Sequence, residues 1–293
     1  MAVPVDAVTR ADVDRIRYDD LSFETTYGRV GVTVFMPSVQ QVSDNGMPEV
    51  SVVYSAGWGE GRGVAEVACQ ALVRAANTIA VMVSYPNANL RVHDIVPFRT
   101  CILSAVIRRL KTDSPYDEPG LVVVGYSRGT VPARHAALEH AAQVRGLSLV
   151  APTWFQGEVR PRELATKGLA EGARGILRES WVDKWGLIAA SARLAQEMVA
   201  HPIALRNDVA AIAEEGATDL HQVLAAGIRV GVVAGRNDEL CEVGGIRRVI
   251  DEPEIRGRVD YREAESDHFC YFLKPAPLRV VADQIGRLAI PTT

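Results

Sequence analysis

Gly125-Tyr126-Ser127-Arg128-Gly129 follows the apolar run Leu121-Val122-Val123-Val124 and precedes an alanine-rich stretch with helical spacing, and nothing else in the chain narrows its fold as much. The run reads as a buried strand, so the pentapeptide is a G-x-S-x-G turn leading from strand into helix. A serine hydroxyl is a weak nucleophile until a base takes its proton. A tight strand-to-helix turn lifts Ser127 clear of the sheet, where a histidine can reach it. The flanking glycines leave room for so crowded a turn. Two glycines and a serine at this spacing arise by chance in many proteins; the strand before them and the helix after them make the pattern informative. The other use of such a serine is to cap the following helix.

Strand and helix patterns alternate along most of the chain, the signature of a mostly parallel sheet with helices on both faces. Residues 22–36 read as an opening antiparallel hairpin with Tyr27-Gly28 at its turn. Strands follow near 50–55 and 79–84, then the elbow strand and another around Leu147 to Ala151. Val64, Val67, Ala68, Ala71, Leu72 and Ala75 share one helical face, and Ile95, Phe98, Ile102, Ala105 and Val106 share another. Leu278, Val281, Ile285 and Leu288 mark a closing helix. No internal repeat or low-complexity tract is present.

The C-terminal third supplies an acid and a base. Ile228 to Ala234 reads as a buried strand, with Gly235-Arg236-Asn237-Asp238 at its end. Arg258 to Glu263 reads as another strand, followed by Asp267-His268-Phe269, with His268 about 30 residues beyond Asp238. Asp219 and Glu239 are fallback acids. The remaining histidines, His93, His135, His140, His201 and His221, read as surface or core residues.

An elbow serine, then an aspartate, then a histidine, each after a strand, resembles the α/β-hydrolase fold superfamily, in particular its lidded serine hydrolases of the esterase or acyl-hydrolase type. The resemblance covers nearly the whole chain. It implies Ser127 as nucleophile, His268 as general base and then acid, and Asp238 as the residue that orients the imidazole. It also implies an oxyanion hole of two backbone amides, one from Arg128 and one from the loop Ser55-Ala56-Gly57-Trp58-Gly59, with Trp58 as the expected donor. Many members carry a His-Gly pair in that loop, where this chain has Ala56-Gly57.

The glycine-rich stretch Gly57-Trp58-Gly59-Glu60-Gly61-Arg62-Gly63 does not read as a nucleotide site. A G-x-G-x-x-G pattern needs glycine where Arg62 or Val64 stands, and no Gly-Lys-Ser/Thr ending is present.

Residues 152–225 break the alternation, with helical stretches interrupted by Gly168, Gly172, Gly186 and Pro202 and no convincing strand. By the resemblance this is a helical lid inserted into a core formed by 1–151 and 226–293. A lid excludes water and shapes the substrate pocket. Gly57, Tyr126, Trp154, Phe155, Trp181 and Trp185 are the expected substrate-binding residues, and the lid's Ile188 and Met198 extend the apolar set. An arginine at 128 has two readings, facing an anionic substrate group or turning into a surface ion pair.

Composition accords with an enzyme of one α/β core plus an insertion: 293 residues, 48 % hydrophobic. Thirty-two basic and 36 acidic residues give a net charge of -4 without a basic block, so neither nucleic acid nor an anionic membrane is an expected partner. The N-terminus lacks a signal-peptide layout, and no apolar run approaches the ~18 residues of a membrane span. A cytoplasmic location is the expectation. Cys69, Cys101, Cys241 and Cys270 show no C-x-x-C spacing, which disfavours zinc or a disulfide framework. No cofactor or metal is implied; the expected partner is a small-molecule substrate, with a homodimer possible.

The chemistry expected is acyl transfer to water at an ester-type bond of a small to medium, partly hydrophobic substrate. Thioesters, lactones and carbon–carbon bonds beside a ketone stay open. So do a non-hydrolytic lyase, cyclase or acyltransferase and a ligand-binding protein on the same fold. A serine at the elbow argues against epoxide hydrolase and haloalkane dehalogenase chemistry, which on this fold use aspartate there.

Overall fold

The computed structural model describes residues 16–25, 28–46, 48, 50–57, 62–85, 90–112, 120–154, 163, 166–168, 170, 171, 173, 202–215 and 219–290. Its centre is an eight-stranded sheet: β1 (Ile16–Thr25), β2 (Gly28–Pro37), β3 (Val50–Ser55), β4 (Ile79–Ser84), β5 (Gly120–Tyr126), β6 (Val144–Val150), β7 (Arg229–Gly235) and β8 (Val259–Ala264). They lie in the order β1-β2-β4-β3-β5-β6-β7-β8. The opening hairpin is antiparallel and reaches further than residues 22–36, because Arg17, Asp19 and Asp20 also pair with β2. Charged side chains on an edge strand hide its length from a pattern based on apolar residues. From β4 to β8 every pairing is parallel.

Parallel strands buried on both faces are near-continuous apolar runs, and β5 with Leu121 to Val124 and β7 with Val230 to Ala234 have that form. The described helices are α1 (Val39–Asn45), α2 (Arg62–Ala76), α3 (Val92–Thr112), α4 (Thr130–Glu139), α5 (Pro202–Glu215), α6 (Leu220–Ala225), α7 (Val243–Ile250) and α8 (Pro275–Ala289). Helix α8 packs on α2 and across β5 to β8, while α3 and α4 pack together and receive α5 and α6. The face of α2 read from the sequence is buried at Ala68, Ala71 and Leu72, whereas Val67 is exposed. In α3, Ile95, Phe98, Ile102 and Val106 are buried as expected.

Within residues 152–225, α5 lies against α3, and α6 lies against α4 and β7. The short helices α1 and α7 are additions that the sequence pattern does not announce. Among the described residues no helix is long and apolar enough to cross a membrane.

Candidate active site

Because β5, β7 and β8 run parallel, the loops leaving their C-terminal ends gather on one edge of the sheet. Ser127 follows β5 directly and opens a single 3-10 turn, Ser127–Gly129, that leads into α4. Its φ is 52°, in the left-handed region that costs a non-glycine residue roughly 1–2 kcal/mol. Local hydrogen bonds hold it there, including one at 2.6 Å from Thr130 Oγ1 to the Ser127 carbonyl.

The two motif glycines are required by close approach. A Cβ on Gly129 would lie 2.1 Å from the Ser55 carbonyl oxygen, and one on Gly125 would lie 2.6 Å from Thr130 Cα. The elbow therefore nests against the end of β3. Gly57 closes the same junction: a Cβ there would sit 2.7 Å from the Tyr126 ring and 3.2 Å from Ser127 Cβ. The start of the loop after β3 thus lies beside the serine at Gly57, and Trp58 lies outside the described residues.

His268 stands in the loop after β8, with Nε2 2.9 Å from Ser127 Oγ and Nδ1 2.9 Å from Asp238 Oδ2. All three side chains are buried, Ser127 being 4 % exposed. An ionised carboxylate can only accept, so Nδ1 carries a proton toward Asp238 and the neutral ring's Nε2 is left to accept from the serine. Burial alone would lower the proton affinity of His268; the negative charge of Asp238 and its bond to Nδ1, with the Cys241 thiol alongside, outweigh it and raise it well above the ordinary value.

Asp238 is fixed by its own loop. Oδ1 accepts the backbone N–H groups of Leu240 at 3.0 Å and Cys241 at 2.7 Å, and Oδ2 also accepts from Tyr271 Oη at 3.2 Å. The carboxylate thus forms a local turn with one oxygen and faces the imidazole with the other. Asp219, a fallback acid in the sequence, is engaged elsewhere, 3.1 Å from Arg134.

Tyr126 is buried, its hydroxyl donates to the His268 carbonyl, and its ring stacks on the imidazole with centroids 5.4 Å apart. It joins the elbow strand to the base loop. Arg128 is partly buried, and its charge reaches Tyr85, whose hydroxyl pairs with Ser55 Oγ at 2.9 Å. Trp154 is buried just after β6. Phe155, Trp181 and Trp185 lie outside the described residues.

Tyr271 and Glu171 carry no sequence signal, and Cys241 reads from the sequence only as an apolar thiol close to Asp238. The donor atoms of Asp238, Cys241 and His268 lie within 4.8 Å of one another. Burial pushes the Cys241 thiol up to about 11, whereas metal ligation takes a thiolate. Asp238 and His268 are already bonded to each other, so the trio reads as a hydrogen-bonded unit. Glu171, from the segment between β6 and β7, accepts the His268 backbone N–H at Oε1. The aspartate's turn has a local signal in hindsight; Glu171 has none, being 97 residues from its partner.

No protein-family model matches this sequence, and no curated protein matches it. Solved structures do. The chain is similar to carboxyl esterase 2 of the mycorrhizal fungus Tuber melanosporum, at 15 % identity and a TM-score of 0.60, over 94 % of this chain and 88 % of that one. It is similar to a peroxisomal α/β-hydrolase of Saccharomyces cerevisiae, at 12 % identity and a TM-score of 0.61, over 94 % and 87 %. An esterase of Pyrobaculum calidifontis gives 14 % identity and a TM-score of 0.59, over 94 % and 86 %. The chain has the α/β-hydrolase fold. In this fold the end of β5 is where the G-x-S-x-G serine stands, and the order Ser127, Asp238, His268 follows the one associated with it.

Proposed function

We propose that this protein is a serine hydrolase that cleaves an ester-type acyl bond through Ser127, His268 and Asp238. The observation that carries the reading is the continuous contact from Ser127 Oγ to His268 Nε2, and from Nδ1 to Asp238 Oδ2, each at 2.9 Å. That similar solved structures include esterases, those of Tuber melanosporum and Pyrobaculum calidifontis among them, supports the same choice.

Ser127 attacks the substrate carbonyl while its proton passes to His268 Nε2, and Asp238 holds the ring in the required tautomer and steadies the imidazolium. The developing oxyanion is met by the Arg128 amide and by an amide of the loop after β3, for which Trp58 stays the candidate; one such donor is worth roughly 10²–10³ in kcat. His268 then protonates the leaving group, and water activated by the same ring releases the acid. Residues 152–225 act as the lid in this reading, with Trp154, Phe155, Trp181 and Trp185 giving a partly hydrophobic substrate its pocket.

A series of p-nitrophenyl esters of increasing acyl length, run on the wild type and on Ser127→Ala, tests the proposal. Turnover is expected in the wild type and a loss of at least ~10⁴-fold in the variant, with the best acyl length sizing the pocket. A wild type that neither turns over any ester nor reacts at Ser127 with a fluorophosphonate removes the reading.

A further inference from the structure

Glu171 is only 3 % exposed, and its two oxygens are treated differently. Oε1 accepts the backbone N–H of His268, while Oε2 is buried and has no hydrogen-bond partner among the described residues. A buried carboxylate with an orphaned oxygen is unfavourable, and binding a proton there relieves it. Burial first, then the charges of Asp238 and Asp267, raise the proton affinity of Glu171, while the charge of His268 and the bond from its amide lower it. The balance lies at about 7 instead of the ordinary 4.5.

The surroundings of His268 are equally specific. Asp238 and Cys241 approach from the loop after β7, and Tyr271, on Asp238, comes from the loop after β8. The Tyr126 ring stacks from β5, and Asp267 is the preceding residue, with Lys274 3.8 Å from its carboxylate. Among the described residues, Glu171 reaches this cluster from between β6 and β7.

We propose that Glu171 is a positioning residue for the His268 base: it anchors the loop after β8 through the His268 amide and serves as a second carboxyl that favours the imidazolium. The catalytic meaning rests on the serine-hydrolase reading above; the coupling between the two residues does not. With His268 neutral, the charges of Asp238 and Asp267 keep the Glu171 proton in place. With His268 protonated, the imidazolium favours the ionised carboxylate, which in turn steadies the imidazolium.

The test is a ¹⁵N NMR titration of the full chain as wild type, Glu171→Gln and Glu171→Ala. The His268 ring signal is assigned by its absence in His268→Asn. Glutamine keeps an acceptor for the amide but removes the charge. The His268 midpoint is therefore expected to move to lower pH by about one unit, and the acid limb of kcat/KM on the best ester is expected to follow it. Alanine also removes the acceptor, so the His268 amide proton is expected to move upfield and kcat to fall about tenfold or more with KM little changed. A role confined to stability would lower Tm in both variants and leave the His268 midpoint and amide shift where they were, which overturns the proposal. If either variant does not fold, Glu171→Asp withdraws the carboxyl by one methylene and is expected to shift the midpoint in the same direction by less; an unmoved midpoint there overturns it too. A wild type inert to esters and to the fluorophosphonate removes the hydrolase reading alone, since the titration still decides whether Glu171 governs His268.

Discussion

Two clusters of charge, each centred on a buried side chain, are built differently. Arg134, on α4, is fully buried and pairs with Asp219 at 3.1 Å, while the adjacent His135 reaches Glu215 at 3.0 Å and Asp219 at 3.7 Å. This cluster ties the elbow helix to α5 and α6. Burial pulls the Arg134 proton affinity down, Asp219 and Glu215 pull it back, and a guanidinium keeps its charge at neutral pH regardless. The other cluster gathers Asp238, Glu171 and Asp267 about one imidazole. A fixed positive charge with a matched partner holds helices together without exchanging protons. Several acids around an imidazole whose proton affinity they raise make an arrangement that can hold and exchange protons. Burial alone does not separate a structural ion pair from a working one; the kind of cation does.

Crossed substitutions break the comparison most directly. Asp238→Asn keeps the shape of the site but removes the charge that sets the His268 tautomer, so kcat on the best ester is expected to drop by roughly 10⁴ with only a small change in Tm. Asp219→Ala is expected to do the reverse. It strands a buried guanidinium and should destabilise the fold by roughly 3–5 kcal/mol in denaturant titration, while folded molecules keep their turnover per labelled serine. Pairing Arg134→Met with Asp219→Leu should recover most of that loss, because two apolar groups replace two charges. Equal losses of turnover in the two single variants would erase the distinction.

The smallest effect concerns stability against pH. Glu171 binds its proton more tightly when folded than at the ordinary value of 4.5, up to about 7. Between these values the folded state holds more protons than the unfolded one, so this group's contribution falls as pH rises. Glu171→Gln lacks that fall. Its unfolding free energy is expected to gain on the wild type from pH 4.5 to 7 and to run parallel above, by at most on the order of 3 kcal/mol. A constant offset across that window would place the pH sensitivity elsewhere.

How much of this was legible in the sequence depended on how local the information was. Ser127, Asp238 and His268 each follow a strand, and a parallel sheet brings such ends together, so the resemblance to the hydrolase order of serine, aspartate and histidine pointed to all three. The extent of β1 was not legible, since Asp19 and Asp20 belong to an edge strand that tolerates charge. Asp219 read as a fallback acid because its partner Arg134 lies 85 positions away in sequence order, on a helix whose alanines announce only a core face. Glu171 was the least accessible: its meaning comes from a contact across the fold, and the segment around it carries no strand pattern to place it. Tyr126 was expected at the substrate; that its hydroxyl donates to the carbonyl of the base is a contact the sequence does not announce.

The junction between the elbow and the β3 loop is held by the absence of side chains: a methyl group at Gly57, Gly125 or Gly129 would collide with neighbouring atoms at 2.1–2.7 Å. Part of what such methyl groups would meet is backbone, such as the Ser55 carbonyl, which any residue supplies. Mutation can therefore rewrite the side chains of such a loop over long divergence while the junction stands, provided three small residues persist. A chain of this kind drifts out of reach of residue-by-residue comparison yet stays superimposable on esterases with which it shares 14–15 % of its residues.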